Sequence, residues 1–307
     1  MTATGAATGV ETRGATRAEP TAVAAGPRRT ERHWGALTAL VLVCLLWTVP
    51  TLGLLISSFR EAEAVQSSGW WTVFANPLNL SQWTLDNYRE ILSQGMGNAF
   101  VNSVVVTVPA TVIPIMIAAF AAYAFTFMRF PGRNLLFIFV VGLLVVPLQV
   151  AFVPLLQIYV GYGLNGTFLA VWLAHTGFGM PLAIYILRNY MGSLPREIIE
   201  SAEIDGASHF QTFWRLILPM SVPALAAFAI FQFLWVWNDL LVALIFLRSE
   251  PANSVVTIQL QTLLGEFGQE WHLLTAAAFV TMVLPLIVFF ALQRFFVRGL
   301  TAGSVKG

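Results

Sequence analysis

The chain has 307 residues, 57% of them hydrophobic and only 10% charged, with a formal net charge of +1 at pH 7. Ordinary soluble domains carry about 25% charged residues, so a water-exposed globule is excluded. The near-neutral charge and the single lysine, Lys306, argue against nucleic acid as a partner, and the lone Cys44 builds neither a disulfide framework nor a thiolate metal site by itself.

Residues 1–35 are rich in Ala, Thr, Gly and Arg without apolar periodicity and read as a disordered tail. Six mostly apolar windows follow, at 36–58, 99–127, 135–157, 168–187, 221–247 and 273–296. Each approaches or exceeds the roughly 20 residues that a spanning helix needs. The first is longer than the apolar core of a signal peptide, about 7–15 residues, and Trp47 and Pro50 spoil a small-residue cleavage pattern, so it reads as a retained span. The expected fold is therefore an all-α integral membrane protein. Its six-span domain covers 36–298, and a short tail covers 299–307.

Arginine placement orients it. Arg13, Arg17, Arg28, Arg29 and Arg32 lie in the first tail, Arg129 and Arg133 in the second loop, Arg188, Arg196 and Arg215 in the fourth, and Arg294, Arg298 and Lys306 at the end. Those thirteen stand against Arg60, Arg89 and Arg248 in the alternate loops, which puts both termini and loops two and four in the cytoplasm. Arg28 and Arg29 suit anionic lipid headgroups. The first outer loop, 59–98, carries Trp70, Trp71, Trp83 and Tyr88, a pattern that fits a membrane-interface belt or a ligand contact.

Loop four, residues 188–220, is polar yet helical in pattern. Ser193 has the chemistry to cap a helix whose first turn holds Pro195 and Glu197, and Gly206 supplies its stop. Ser208 and Gln211 have capping-box spacing for a second helix, in which Phe210, Phe213, Trp214 and Ile217 recur at i, i+3, i+4 and i+7 before Leu218-Pro219. Two short helices meeting at Asp205-Gly206 are expected. Phe213 and Trp214 serve equally to anchor the second helix on the bundle or on a partner.

Within the fifth window stand Trp235, Asn238 and Asp239, and within the third Gln149. A carboxylate at mid-bilayer costs at least about 2.5–3.5 kcal/mol, so Asp239 is expected to face protein or water. Asn238, Asp239, Trp235 and Gln149 then read either as a polar path for a solute or as ties between helices, and His175 as a packed, hydrogen-bonded histidine.

The run Glu200-Ser201-Ala202-Glu203-Ile204-Asp205-Gly206-Ala207, continued to Leu218-Pro219, resembles the EAA motif of permease subunits of ABC importers. Ser201 replaces the family's usual alanine, a small-for-small change. Thr84-Leu85-Asp86-Asn87-Tyr88, Asn102-Ser103, Pro147-Leu148-Gln149-Val150 and Trp237-Asn238-Asp239 resemble the maltose-type, carbohydrate branch of that family. The resemblance implies a non-catalytic subunit in a prokaryotic plasma membrane. It would pair with a second permease subunit, a dimer of ABC ATPases and an extracytoplasmic sugar-binding protein. ATP and Mg would sit on the ATPase, with no cofactor on this chain. It also implies that Glu200, Ser201, Ala202, Asp205, Gly206, Ala207, Phe213, Leu218 and Pro219 couple the chain to the ATPase.

No G-x-x-x-x-G-K-[ST] run occurs, so the chain has no Walker A cradle. The four histidines, at 33, 175, 209 and 272, are scattered, and no metal site is expected. The alternative is a stand-alone secondary transporter or channel with Asp239 as its ion site, a role for which one carboxylate and one histidine make a poor relay.

Overall fold

The structure, a computed structural model, describes residues 34–247, 251–266 and 270–302. Almost all of the expected N-terminal tail, together with Arg248 and Lys306, lies outside them. The chain divides into two units, the first ending at Thr48 and the second beginning at Val49. The described part of the first unit is the leading half of α1 (Trp34–Ser58), an apolar helix whose residues are exposed throughout that half. Trp34 and Gly35, placed in the tail by the sequence reading, are already helical.

In the second unit α2 (Ala62–Ser67) and two 3-10 turns lead to α3 (Asp86–Ile91). A kink follows at Gly95, whose φ of +99° suits glycine, and then the long α4 (Gly97–Phe127). The third apolar window is not one straight helix. α5 (Arg133–Gly142) and its 3-10 extension to Val145 meet α6 (Leu148–Gly161) at 101°. Pro147 lies at that break, where it removes a helical donor and disfavours helical φ/ψ at Val146.

α7 (Phe168–Gly192) is one continuous helix with Pro181 inside it, and α8 (Arg196–Ile204) forms the first limb of the fourth loop. The second limb runs through α9 (His209–Thr212), a π turn over Phe213–Ile217 and α10 (Leu218–Met220), then bends by 71° into α11 (Val222–Trp237). The expected fifth span, 221–247, is also interrupted: α11 stops at Trp237, and α12 (Leu241–Phe246) restarts after Asn238 and Asp239. α13 (Val256–Glu266) and α14 (Trp271–Ala302) complete the chain. Four helical segments are long and apolar enough to cross a membrane, and there are six if each bent pair counts as one span. No strand occurs among the described residues.

α4 and α7 form the centre of the unit. Ala110, Ala118, Ala119 and Ala122 on one, and Ala170, Ala174, Gly179 and Ala183 on the other, are buried small residues that let two backbones approach without a hydrophobic driving force from lipid. Three apolar clusters surround this pair: one at the loop end with Leu187, Phe213 and Phe228, one at the opposite end with Phe152, Val171 and Phe246, and one where α11 meets α13 and α14.

Fully buried Gln232 of α11 ties the centre together, donating from Nε2 to the carbonyls of Ala110 (3.2 Å) and His175 (3.4 Å). Its amide lies where a side chain at Gly179 would begin, 2.7 Å from the position of an added Cβ. Gly179→Ala is therefore expected to destabilise the chain by about 1–3 kcal/mol. A lower thermal unfolding midpoint in detergent checks this, and the loss should be smaller in a Gln232→Ala background because the two changes share one space.

Candidate functional site: the two-helix loop

α8 starts after Pro195, which occupies the N-cap position without a side-chain bond. Ser193 does not cap it. Its hydroxyl donates instead to the Tyr190 carbonyl (2.7 Å) at the end of α7, which also accepts the Ser193 N–H (3.0 Å), a local serine-to-backbone bond that competes with capping the next helix. The far end of α8 closes as a Schellman motif, with the Gly206 N–H donating to the Glu203 carbonyl (3.0 Å) and the Ala207 N–H to the Ala202 carbonyl (2.9 Å). That motif needs a left-handed residue at Gly206, which has φ +74°. Asp205 is the last right-handed residue before it.

The second limb begins with the expected capping box. The Gln211 N–H donates to Ser208 Oγ (3.3 Å), and the Ser208 N–H to Gln211 Oε1 (2.9 Å). Between the limbs lies an open cleft of 640 Å³ lined by Ser201, Ala202, Asp205, Gly206 and Ala207, five of the predicted coupling residues. Gln211 and Arg215, one turn apart on the second limb, line it too. The sequence reading uses Gln211 only as a cap and Arg215 only in the arginine count; their i, i+4 spacing is the signal that would have placed them on one face. Ser201 returns its hydroxyl to the Glu197 carbonyl (2.7 Å), so its departure from alanine is absorbed within α8.

Ile199 and Ala202 turn inward, while Glu200, Glu203 and Asp205 are exposed and, among the described residues, make no ion pair. Two apolar side chains share that outer surface, Ile204 at 86% exposure and Phe210 at 68%. Ile204 stood inside the motif without being singled out. An isolated exposed isoleucine is ordinary, but here it sits between free carboxylates beside a cleft.

Phe213 is placed differently from a docking residue. It is 2% exposed and stacks on Phe120 of α4 with ring centroids 4.5 Å apart. It belongs to the bundle core, because the π turn directs both Phe213 and Ile217 inward. Leu218 packs partly against the same cluster, and Pro219 is exposed at the bend.

The four tentative path residues do not converge. Trp235 lines a 410 Å³ apolar cavity with Leu143, Leu148, Phe178 and Gln232, its ring edge-on to His175 at 5.1 Å. Asn238 is exposed, and its Nδ2 donates back to the Leu234 carbonyl (2.7 Å). Asp239 is not in mid-helix: it stands one residue before Leu240, the N-cap of α12, and its Oδ1 accepts the Val242 N–H (2.6 Å), which offsets part of the solvation penalty assigned to it in an unbroken span. The space beside it, shared with Ser103, Thr107 and His175, is 10 Å³, room for about one water. Gln149 is exposed in the first turn of α6.

On the opposite side of the bundle, the first outer loop is organised by Arg60, 3% exposed, which donates to the Gly69 carbonyl (3.1 Å) and to Ser68 Oγ (2.8 Å). Asn87 Nδ2 donates to the carbonyls of Ser58 (2.9 Å) and Arg60 (2.8 Å), closing the loop onto the end of α1. On the rim, hydrogen bonds from Thr84 and then Arg89 hold the Asp86 carboxyl below the ordinary carboxylate range.

Comparison with known proteins agrees with this architecture. Residues 110–302 match the family described as binding-protein-dependent transport system inner membrane component. The osmoprotective compounds uptake permease protein GgtD of Synechocystis is 59% identical over 91% of this chain and 95% of its own length. The alpha-glucoside transport system permease protein AglG of Rhizobium meliloti is 45% identical over 91% of this chain and 99% of its own. A bacterial ABC transporter involved in the import of the acidic polysaccharide alginate has a chain of the same fold, with a TM-score of 0.68 at 19% identity over 87% of this chain and 98% of that one.

A Cβ added at Gly206 meets nothing within 4 Å, so the cost of substitution there is conformational. Gly206→Ala is expected to cost about 1–2 kcal/mol, and Gly206→Asn less, because asparagine tolerates the left-handed region better. Amide hydrogen exchange across α8 checks this, with the last turn exchanging faster in the alanine variant than in the asparagine one.

Proposed function

This chain belongs to the family of binding-protein-dependent transport system inner membrane components, and from that premise we propose that its fourth loop couples a separate ATPase to sugar movement through the spans. The chain is a membrane-embedded permease subunit of an ABC importer, and hydrolysis is carried out by a separate subunit. The names of its relatives support a carbohydrate or an osmoprotective compound as the solute, with α-glucosides the leading class. The arginine count supports a cytoplasmic fourth loop and cytoplasmic termini. The complex is completed by a second permease, an ATPase dimer that carries ATP and Mg, and an extracytoplasmic sugar-binding protein.

The carrying observation is the loop's construction. Each limb has its own cap, so the turn between them is defined by backbone bonds, and the outer surface presents Ile204 and Phe210 among unpaired carboxylates. Such a surface suits a partner with an apolar notch rimmed by arginines or backbone donors, where desolvated carboxylate pairs are strongest. Glu200 and Asp205 supply the charge, Ser201, Ala202 and Ala207 permit close approach, and Gly206 holds the turn.

Purifying the chain from gently solubilised native membranes is expected to bring down an ABC ATPase and a second permease. Ile204→Glu, which removes apolar burial of roughly 1.5–3 kcal/mol, is expected to weaken ATPase retention about 10- to 100-fold while the chain stays in the membrane. Recovery of the chain alone, under conditions that keep a known importer intact, would overturn the coupling role.

A further inference from the structure

The second limb of the loop is fastened sideways to α4 and α7, and its junction with α11 is bent. At its start, His209 Nδ1 lies 3.0 Å from the hydroxyl of Tyr123 on α4. In its middle, Phe213 stacks on Phe120 and meets Tyr123 edge-on at 5.5 Å, while Trp214 meets Phe120 edge-on at 5.9 Å. At its end, Tyr190 of α7 donates to the Met220 carbonyl (3.2 Å). Offset and edge-on aromatic pairs each contribute about 0.5–1.5 kcal/mol beyond burial, and they fix ring orientation as well as distance.

The junction with α11 is built in the opposite sense. The axis turns by 71° at Ser221, and Pro219 and Pro223 on either side each lack an N–H. The Ser221 N–H is shared between the carbonyls of Ile217 (2.9 Å) and Leu218 (3.1 Å), and the π turn over Phe213–Ile217 lies just before α10. A bent, proline-flanked joint passes little axial load, whereas three lateral fastenings onto two closely packed helices pass it directly.

We infer that Phe120 and Tyr123 of α4, seconded by Tyr190 of α7, are positioning residues for coupling: they make the second limb and the α4–α7 pair one moving body, with Ser221 as the joint that yields. This rests on the coupling role proposed above. Movement of the loop by the ATPase then displaces the centre of the bundle, and α11 follows by rotation at its end.

The test uses the whole importer, purified through this chain and reconstituted with its binding protein. Uptake of maltose or sucrose, two α-glucosides, is measured per ATP hydrolysed. Tyr123→Phe removes one hydrogen bond and Phe120→Leu the ring stack, and each is expected to lower uptake per ATP on the order of 2- to 10-fold, with wild-type amounts of ATPase retained. In a Cys44→Ser background, Tyr123→Cys with His209→Cys is expected to couple poorly until a short bifunctional thiol reagent bridges the pair, which restores uptake.

Unchanged coupling in both single variants overturns the inference, as does a bridge that leaves uptake at or below the unbridged level. Loss of the ATPase from the variants also overturns it, since the residues would then serve assembly. Failure of the unsubstituted chain to bring down an ATPase, by contrast, overturns the coupling role itself.

Discussion

Backbone polar groups inside a bilayer have no water to turn to, and this one constraint decides where the polar side chains of the chain stand. Every described span is helical, and at several of the places where a helix breaks or begins at depth, a side chain supplies a bond. Asp239 accepts from Val242 where α11 gives way to α12, and Ser103 Oγ accepts the Val256 N–H at the start of α13. Asn102 Nδ2 donates to the carbonyls of Ala252 (2.8 Å) and Ser254 (2.9 Å), and Asn253 Nδ2 to that of Gly166 (2.9 Å). Trp237 reaches the Thr281 carbonyl through Nε1 (3.1 Å). Runs that looked like family signatures, Asn102-Ser103 and Trp237-Asn238-Asp239, are thus largely the repair of interrupted backbone.

That accounting changes the reading of the intramembrane polar residues. An isolated carboxylate within a continuous span suggests an ion or solute site. A carboxylate just before a helix start, holding a backbone donor and meeting the positive end of the helix dipole, already has part of its charge accommodated by the fold. Asp239 is therefore a weak foundation for a self-sufficient carrier. At the loop end Glu200, Glu203 and Asp205, without an ion pair among the described residues, surround exposed apolar side chains, whereas inside the bundle His175 Nδ1 and Gln232 Oε1 are among the buried polar atoms left without a partner near the α4–α7 centre.

The loop combines two kinds of order. Local order comes from caps: a Schellman turn closes α8 and a capping box opens α9, so the shape of the turn follows from a few residues. Tertiary order comes from the aromatic contacts onto α4, which fix the second limb against the bundle. The first makes a surface of defined shape, and the second gives that surface something to move. Neither property is useful to an energy-coupled transporter without the other.

The sequence by itself determined the membrane class, the apolar windows, the acidic Asp205-Gly206 turn and the capping box, because each depends on composition or on bonds spanning a few residues. It did not reveal that the third and fifth windows are broken, because hydropathy measures transfer to lipid and is blind to helix direction. Ser193, Phe213 and Asp239 were assigned by neighbours in sequence, whereas their partners are the end of α7, the face of α4 and the start of α12. Only the tertiary structure decided these, because where each helix ends and which face of it packs settle which of two nearby partners or two opposite faces a side chain takes.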